Sequence, residues 1–160
     1  MAEAFAKDYG YTHLFNNETG AFEGGDRPYF RANIWSMGNI RNIIVELYKQ
    51  SGNTDDRRLV EMLDKMSWND GNVVSAKDCE WIISMYSGDK VRDIAYSIVA
   101  HRAVEEPDFL TGMRPKPGSP GEWEQHTYSQ HEIADGYVQM FDEFISYCHI
   151  ASKLDGFEVW

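Results

Sequence analysis

Six side chains able to bind a metal or move a proton fall within fourteen residues: Glu122, Glu124, His126, His131, Glu132 and Asp135. His131 and Asp135 are four positions apart, so on a helix they lie one above the other on the same face. The two histidines of the zinc motif His-Glu-x-x-His are placed the same way. Here the segment reads His131-Glu132-Ile133-Ala134-Asp135, and an aspartate stands where the motif has its second histidine. That departure removes most of the motif's specificity. It leaves His126, His131 and Asp135 as a candidate metal set, with Glu122 or Glu124 reaching in. Its chemistry would be hydrolysis by a metal-activated water.

The same residues have a purely structural explanation. Ser129-Gln130-His131-Glu132 is a capping box, in which the serine side chain and the third-position glutamate satisfy each other's backbone N–H groups. At about 100° per residue around the helix, His131, Asp135, Asp142 and His149 fall opposite the Ile133–Phe144 face and form a solvated stripe.

Other catalytic patterns are missing from the sequence. There is no Gly-x-Ser-x-Gly elbow, no phosphate-cradling Gly-x-x-x-x-Gly-Lys-Ser/Thr loop and no dinucleotide-binding Gly-x-Gly-x-x-Gly. With Gly71 at the sixth position of a calcium loop, Met66, Trp68 and Lys77 occupy ligand positions, which defeats that reading. Cys79 and Cys148 sit among apolar residues at helical spacing and read as small buried hydrophobes. His101 shares a face with Ile94 and Ile98 and reads as a hydrogen-bonded core histidine. His13 stands alone in a loop. No cofactor is expected.

Aromatic residues make up 14% of the chain, including five tryptophans. Most should serve a core. Trp81 lies outside the stripe of its helix. Trp123 stands between Glu122 and Glu124, and Trp160 is the last residue. Tryptophan flanked by polar residues is a frequent anchor in protein interfaces, so Trp123 and Trp160, with Glu122, Glu124 and Asp142, form the candidate partner-binding set.

The elements that position these residues are mainly helical. Met37, Ile40, Ile43, Ile44, Leu47 and Tyr48 repeat at three- and four-residue steps and predict a helix from Ala32 to about Gln50. A second helix is expected over Asp55–Met66, capped by Thr54, with Leu59, Val60, Leu63 and Met66 inward. A third follows a Ser75/Asp78 capping box and runs to about Tyr86. A fourth spans Asp89 to about Val104, with Val91, Ile94, Ala95 and Ile98 inward. Residues 107–121 hold Pro107, Pro115, Pro117 and Pro120 with three glycines, and read as a long loop. A last helix runs from Ser129 to about Leu154, ended by Asp155-Gly156. Gly136 would mark close helix packing. Val138 and Ile145 would lie on the outer side, where they suit a homo-oligomer. Phe157–Trp160 is a short strand or a docked tail.

The expected fold is mainly α, a single domain over 1–160. It is a compact bundle of about five helices, with an irregular aromatic-rich segment over 1–31 and room for a minor hairpin. At 160 residues and 42% hydrophobic content, the chain can bury a core without disulfide or metal staples.

The formal charge is −11, and residues 105–160 hold 11 acids against 3 bases. This opposes binding to phosphate backbones, which depends on Lys and Arg displacing counterions. It equally opposes attachment to anionic membranes. It favours encounter with a basic protein. Met1–Gly10 lacks a basic region followed by an apolar stretch, so a cytoplasmic, soluble protein is expected. Three functions stay open. The first is a small acidic protein-binding module of the inhibitor or immunity type, not an enzyme. The second is a small metal-dependent hydrolase using residues 122–135. The third is a small-molecule binding domain lined by aromatic side chains.

Overall fold

The computed structural model describes residues 15–16, 21–22, 34–67 and 71–159, with side chains from Ser36 onward. The irregular N-terminal segment lies outside this range except for one antiparallel pairing, β1 (Phe15–Asn16) with β2 (Ala21–Phe22). His13, Trp68, the Asn69-Asp70 turn and Trp160 also lie outside it.

Five α-helices dominate the described residues: α1 (Ile34–Ser51), α2 (Asp56–Lys65), α3 (Ala76–Met85), α4 (Gly88–Glu105) and α5 (Gln130–Ala151). The mainly helical expectation holds. One continuous core joins them. Ile40, Ile43, Ile44 and Leu47 of α1 meet Cys79 and Ile82 of α3, Val91 and Ile94 of α4, and Phe141, Phe144 and Cys148 of α5. The rings interlock. Phe141 stacks on Tyr86 at 6.5 Å between centroids and tilts against Phe144 at 5.8 Å.

Local chemistry explains the helix ends. Ser75 and Ser129 each head a complete capping box, with Asp78 and Glu132 returning the bond. The cap of α2 is Asp55, not Thr54: its carboxylate accepts from the Arg58 N–H at 3.0 Å. The inward stripe of α2 also differs from expectation. Met62 is buried, Leu59 is partly buried against the core, and Val60 is 56% exposed. The 59/62/66 spacing follows the helical period more closely than 59/60/63/66, so Met62 takes the inward place.

Trp81 departs from the sequence reading as well. It packs against the core, with Tyr48 at 6.1 Å on one side. The Arg58 guanidinium lies 5.0 Å from the ring centroid, a cation–π contact that lets a tryptophan at the margin of the core keep one face covered. Ile145 is buried and Val138 packs partly against the core, so the outer apolar side expected on α5 is not there and self-association loses its support. The face of α5 that turns inward is broader than the Ile133–Phe144 stripe and includes Ala134, Tyr147, Ile150 and Ala151. Gly136 is exposed with open space around it. It therefore marks no close packing.

Two small antiparallel pairings complete the body. β3 (Asn72–Val74) pairs with β6 (Phe157–Val159), Val74 opposite Phe157. The tail expected after Gly156 is thus a strand. The second pairing replaces the long loop. Residues 107–121 begin with a 3₁₀ turn (Pro107–Leu110) and continue as β4 (Thr111–Pro115), which pairs with β5 (Trp123–Thr127). The prolines fit because each sits where a missing N–H costs little: Pro107 opens the 3₁₀ turn, Pro115 ends β4, and Pro117 and Pro120 lie in the tip. Gly118 and Gly121 supply the positive φ angles of the tip, +76° and +86°.

A part-buried ion pair ties α2 to α3. Lys65 Nζ donates to Asp78 Oδ2 at 2.7 Å, and the same carboxylate oxygen accepts from the Ser75 N–H at 3.0 Å. Burial alone would raise the Asp78 pKa. The bonds from Lys65 and Ser75, with the Lys65 charge, outweigh it and hold the carboxyl below its usual range. A depressed carboxylate stabilises the fold above the unfolded-state value, near 4, and that contribution is lost as pH falls through the folded value. We therefore expect Asp78→Asn to destabilise the chain at neutral pH. The difference from the parent should narrow below about pH 4, as read by denaturant titration at both pH values.

Candidate functional site

The β4–β5 hairpin has two chemically distinct faces, set by the two-residue period of a strand. Register pairs Pro115 with Trp123, Arg114 with Glu124, Met113 with Gln125 and Gly112 with His126. One face carries Gly112, Arg114, Glu124 and His126, which are half-buried. There Arg114 Nε donates to Glu124 Oε1 at 2.8 Å, and Arg114 Nη1 lies 3.5 Å from His126 Nε2. The His126 ring meets Tyr128 edge-on at 4.6 Å. Gly112 is needed beneath that tyrosine, since a Cβ would stand 3.3 Å from Tyr128 Cε2.

The opposite face carries Met113, Pro115, Trp123 and Gln125, all exposed. Trp123 is 62% and Met113 58% exposed. At the hairpin tip Lys116 Nζ pairs with Glu122 Oε2 at 3.0 Å, and the Lys116 N–H closes the turn onto the Glu122 carbonyl. The acids flanking Trp123 are thus each matched by a base of the same hairpin. They fix the ribbon around the indole.

The N-terminal half of α5 makes its own polar contacts. The Ser129 N–H donates to the Glu132 carboxylate at 2.7 Å, and the Ser129 hydroxyl at 2.9 Å. These bonds hold the Glu132 carboxyl below its usual range, helped by the nearby Arg114 guanidinium. The His131 ring meets Tyr96 of α4 edge-on at 5.0 Å, and the Tyr96 hydroxyl donates to Asp135 at 3.0 Å. That bond, with some burial, raises the Tyr96 pKa. Further along, the Tyr86 hydroxyl donates to Asp142 at 2.9 Å. Burial, then this partner, raises the Tyr86 pKa.

The candidate metal residues therefore separate. His126 belongs to the hairpin with Arg114 and Tyr128, whereas His131 and Asp135 bracket Tyr96. Among the described residues no group of three His, Cys, Asp or Glu side chains is placed to hold a metal. His101 is exposed, its Nε2 3.5 Å from Glu105 one turn on. It is a surface histidine, not the core histidine expected from its spacing with Ile94 and Ile98.

Of the candidate partner-binding set, Trp123, Glu122 and Glu124 come together on the hairpin. Asp142 lies two turns down α5 from Asp135, tied to Tyr86. Trp160 lies outside the described residues. Met113, Pro115 and Arg114 were missed by reading 111–115 as loop. The signal was present in two five-residue runs, Thr111–Pro115 and Trp123–Thr127, around a Gly/Pro-rich tip.

Charge adds a second feature. α5 carries Glu132, Asp135, Asp142 and Glu143 and contains no Lys or Arg. Four of the eleven acids of the C-terminal third therefore stand on one long helix that carries no Lys or Arg. No described helix is long and apolar enough to cross a membrane. Compared with protein-family models, curated proteins and solved structures, the chain matches none.

Proposed function

We propose that this chain is a small acidic protein-binding module that docks a basic protein partner, in the manner of an inhibitor or immunity-type protein. The observation that supports it is the outer face of the β4–β5 hairpin, where Trp123 and Met113 stand exposed beside Pro115. A two-stranded ribbon holding most of a large indole in water gains little for its own fold from that side chain. Buried against a partner, such a ring can supply a hot spot.

In this reading the roles divide. Trp123 and Met113 are the anchors. Arg114–Glu124 and Lys116–Glu122 hold the ribbon in shape. The acids of α5, Asp142 among them, supply a long-range field that raises the encounter rate with a positively charged surface. The hydrolase reading has lost the gathering of ligands it required. Against the aromatic-pocket reading, Tyr48, Phe141, Phe144, Tyr147 and Phe157 are taken up by the core among the described residues.

The test is capture from extract of the chain's own host with tagged protein, at low salt and at about 0.5 M salt, where screening is short-ranged. The expected result is a stoichiometric basic polypeptide at low salt, depleted at high salt and by Trp123→Ala. No complex at low salt, or one with an acidic partner, would reject the reading.

A further inference from the structure

The hairpin that carries Trp123 has two long edges, and its ladder fixes which backbone groups face them. At one end of the ladder the Lys116 N–H donates to the Glu122 carbonyl at 2.9 Å, and at the other the Tyr128 N–H donates to the Leu110 carbonyl at 2.8 Å. Both pairs continue the register of β4 and β5. Opposed residues of an antiparallel pair alternate between bonded and non-bonded. Arg114–Glu124 and Gly112–His126 are therefore the bonded pairs between these ends. Thr111–Thr127, Met113–Gln125 and Pro115–Trp123 are the non-bonded pairs, and their backbone N–H and C=O groups point away from the ribbon.

The two edges are not alike. On β4 the Thr111 N–H is taken by the Asp108 carbonyl, and Pro115 has no N–H. Met113 is left as the outward donor. On β5 the N–H and C=O groups of Trp123, Gln125 and Thr127 all point outward, and all three residues are exposed. Among the described residues the sheet stops at β5, with no strand beyond it and no backbone partner for these groups. Edge strands are commonly protected from pairing by Lys, Pro or a bulge. β5 reads Trp-Glu-Gln-His-Thr, has neither Lys nor Pro, and keeps an unbroken register. Charge is divided in the same sense. Glu122 and Glu124 stand on the β5 side of the ribbon, and Arg114 and Lys116 on the β4 side.

We propose that an extended basic segment of the partner pairs along the free edge of β5, turning the two-stranded ribbon into a three-stranded sheet. This assignment rests on the docking reading of Trp123 and adds how the partner is held. Main-chain bonds to Trp123, Gln125 and Thr127 supply affinity, and alternate side chains of the added strand supply specificity. Those on the outer face lie beside Trp123, where a Lys or Arg can cover the indole. A basic segment meets the acids of β5 before the bases of β4, so the edge with the open donors is also the edge with the matching charge.

The experiment uses the isotope-labelled full chain at low salt. Its probe is a synthetic peptide alternating lysine and valine, blocked at both ends. Amide hydrogen exchange is read residue by residue by NMR, together with the dissociation constant. With saturating peptide the amides of Trp123, Gln125 and Thr127 should slow by at least about tenfold, and that of Met113 on the other edge should not change. A peptide alternating glutamate and valine should leave all four alone. Gln125→Pro removes one outward donor at a place where an edge strand tolerates proline. It should weaken peptide binding by about tenfold. Gln125→Ala keeps the N–H and should bind within about twofold of the parent, as a side chain outside the binding hot spot does. The exchange measurement on the parent chain stands whether or not the proline variant folds. Peptide binding that shifts the Trp123 indole resonance but leaves the three amides exchanging as before would overturn edge pairing and leave the docking reading standing. No binding of the basic peptide overturns edge pairing too, while the docking reading is judged separately by capture from extract. Protection that appears without peptide as the chain's own concentration rises would assign the edge to a second copy and reject the proposal.

Discussion

Replacing Gly156 by alanine is expected to destabilise the fold by about 2–5 kcal/mol, combining a left-handed alanine with displaced backbone. Gly156 has φ +92°, where a side chain is strained whatever the space around it. Here the space is also filled. An added Cβ would overlap the Val74 carbonyl oxygen and stand 2.8 Å from Ser75 Cα and C. These are backbone atoms at the end of β3 and at the cap of α3, so no side chain can swing aside. The Gly156 N–H also returns to the Ala151 carbonyl at 2.8 Å, closing α5 before the chain turns into β6. One methyl group would therefore disturb the end of α5, the β3–β6 pairing and the α3 capping box together. At about 2–4 °C per kcal/mol for a chain of this size, the melting temperature should fall by roughly 4–20 °C. Calorimetry reads this directly. A change of less than about 1 kcal/mol, near the ordinary effect of a surface substitution, would show that the Asp155-Gly156 turn is not packed as described.

Phe144→Ala should cost about 3–5 kcal/mol, the range for deleting a buried phenylalanine. Phe144 is fully buried. It tilts against Phe141 at 5.8 Å and meets Phe157 of β6 edge-on at 6.4 Å. The same ring therefore joins the helix bundle to the β3–β6 strands. Truncation leaves a cavity lined in part by Phe141 of α5 and Phe157 of β6. Phe144→Leu keeps most of the volume and should cost less than about 1.5 kcal/mol. The pair separates cavity formation from any special need for an aromatic ring. Denaturant midpoints at equal slope give both values. An alanine variant as stable as the leucine variant would contradict the described core.

Much of this architecture was legible in the residue pattern. α1 could be read because Ile40, Ile44 and Leu47 recur at the helical period with Ile43 beside them, and all four are buried. The capping boxes at Ser75 and Ser129 could be read because their bonds are local, spanning three residues. Errors arose where tertiary contacts decide. Val60 and Met62 are equally apolar on paper, and only the direction of the core places Met62 inward. Trp81 sits at the edge of its helix stripe, and its cover comes from Tyr48 on α1 and Arg58 on α2. Ile145 seemed to face outward because the stripe was drawn too narrow for a helix packed by α3, α4 and α1 together.

The hairpin was hidden by its prolines. Four of them with three glycines imitate an unstructured loop, although each occupies a position a hairpin tolerates. The metal-like cluster erred in the opposite direction. Six ligand-type side chains in fourteen residues suggest convergence, but a strand, a cap and a helix point them to different neighbours. His126 meets Tyr128, Glu132 returns to Ser129, and Asp135 meets Tyr96. Trp123 was singled out correctly as exposed, on the polarity of its neighbours.

If the hairpin's outer face docks the partner, the dissociation constant of the low-salt complex depends on its exposed side chains, and measuring it is the most direct test. Trp123→Ala and Met113→Ala should be compared with Val60→Ala, which trims an equally exposed apolar side chain on α2. Trp123→Ala is expected to weaken binding by at least about 2 kcal/mol, roughly thirtyfold. Met113→Ala should weaken it less, and Val60→Ala should leave it within about twofold, the variation expected of a residue outside the interface. Equal affinity for the parent and Trp123→Ala would contradict the account.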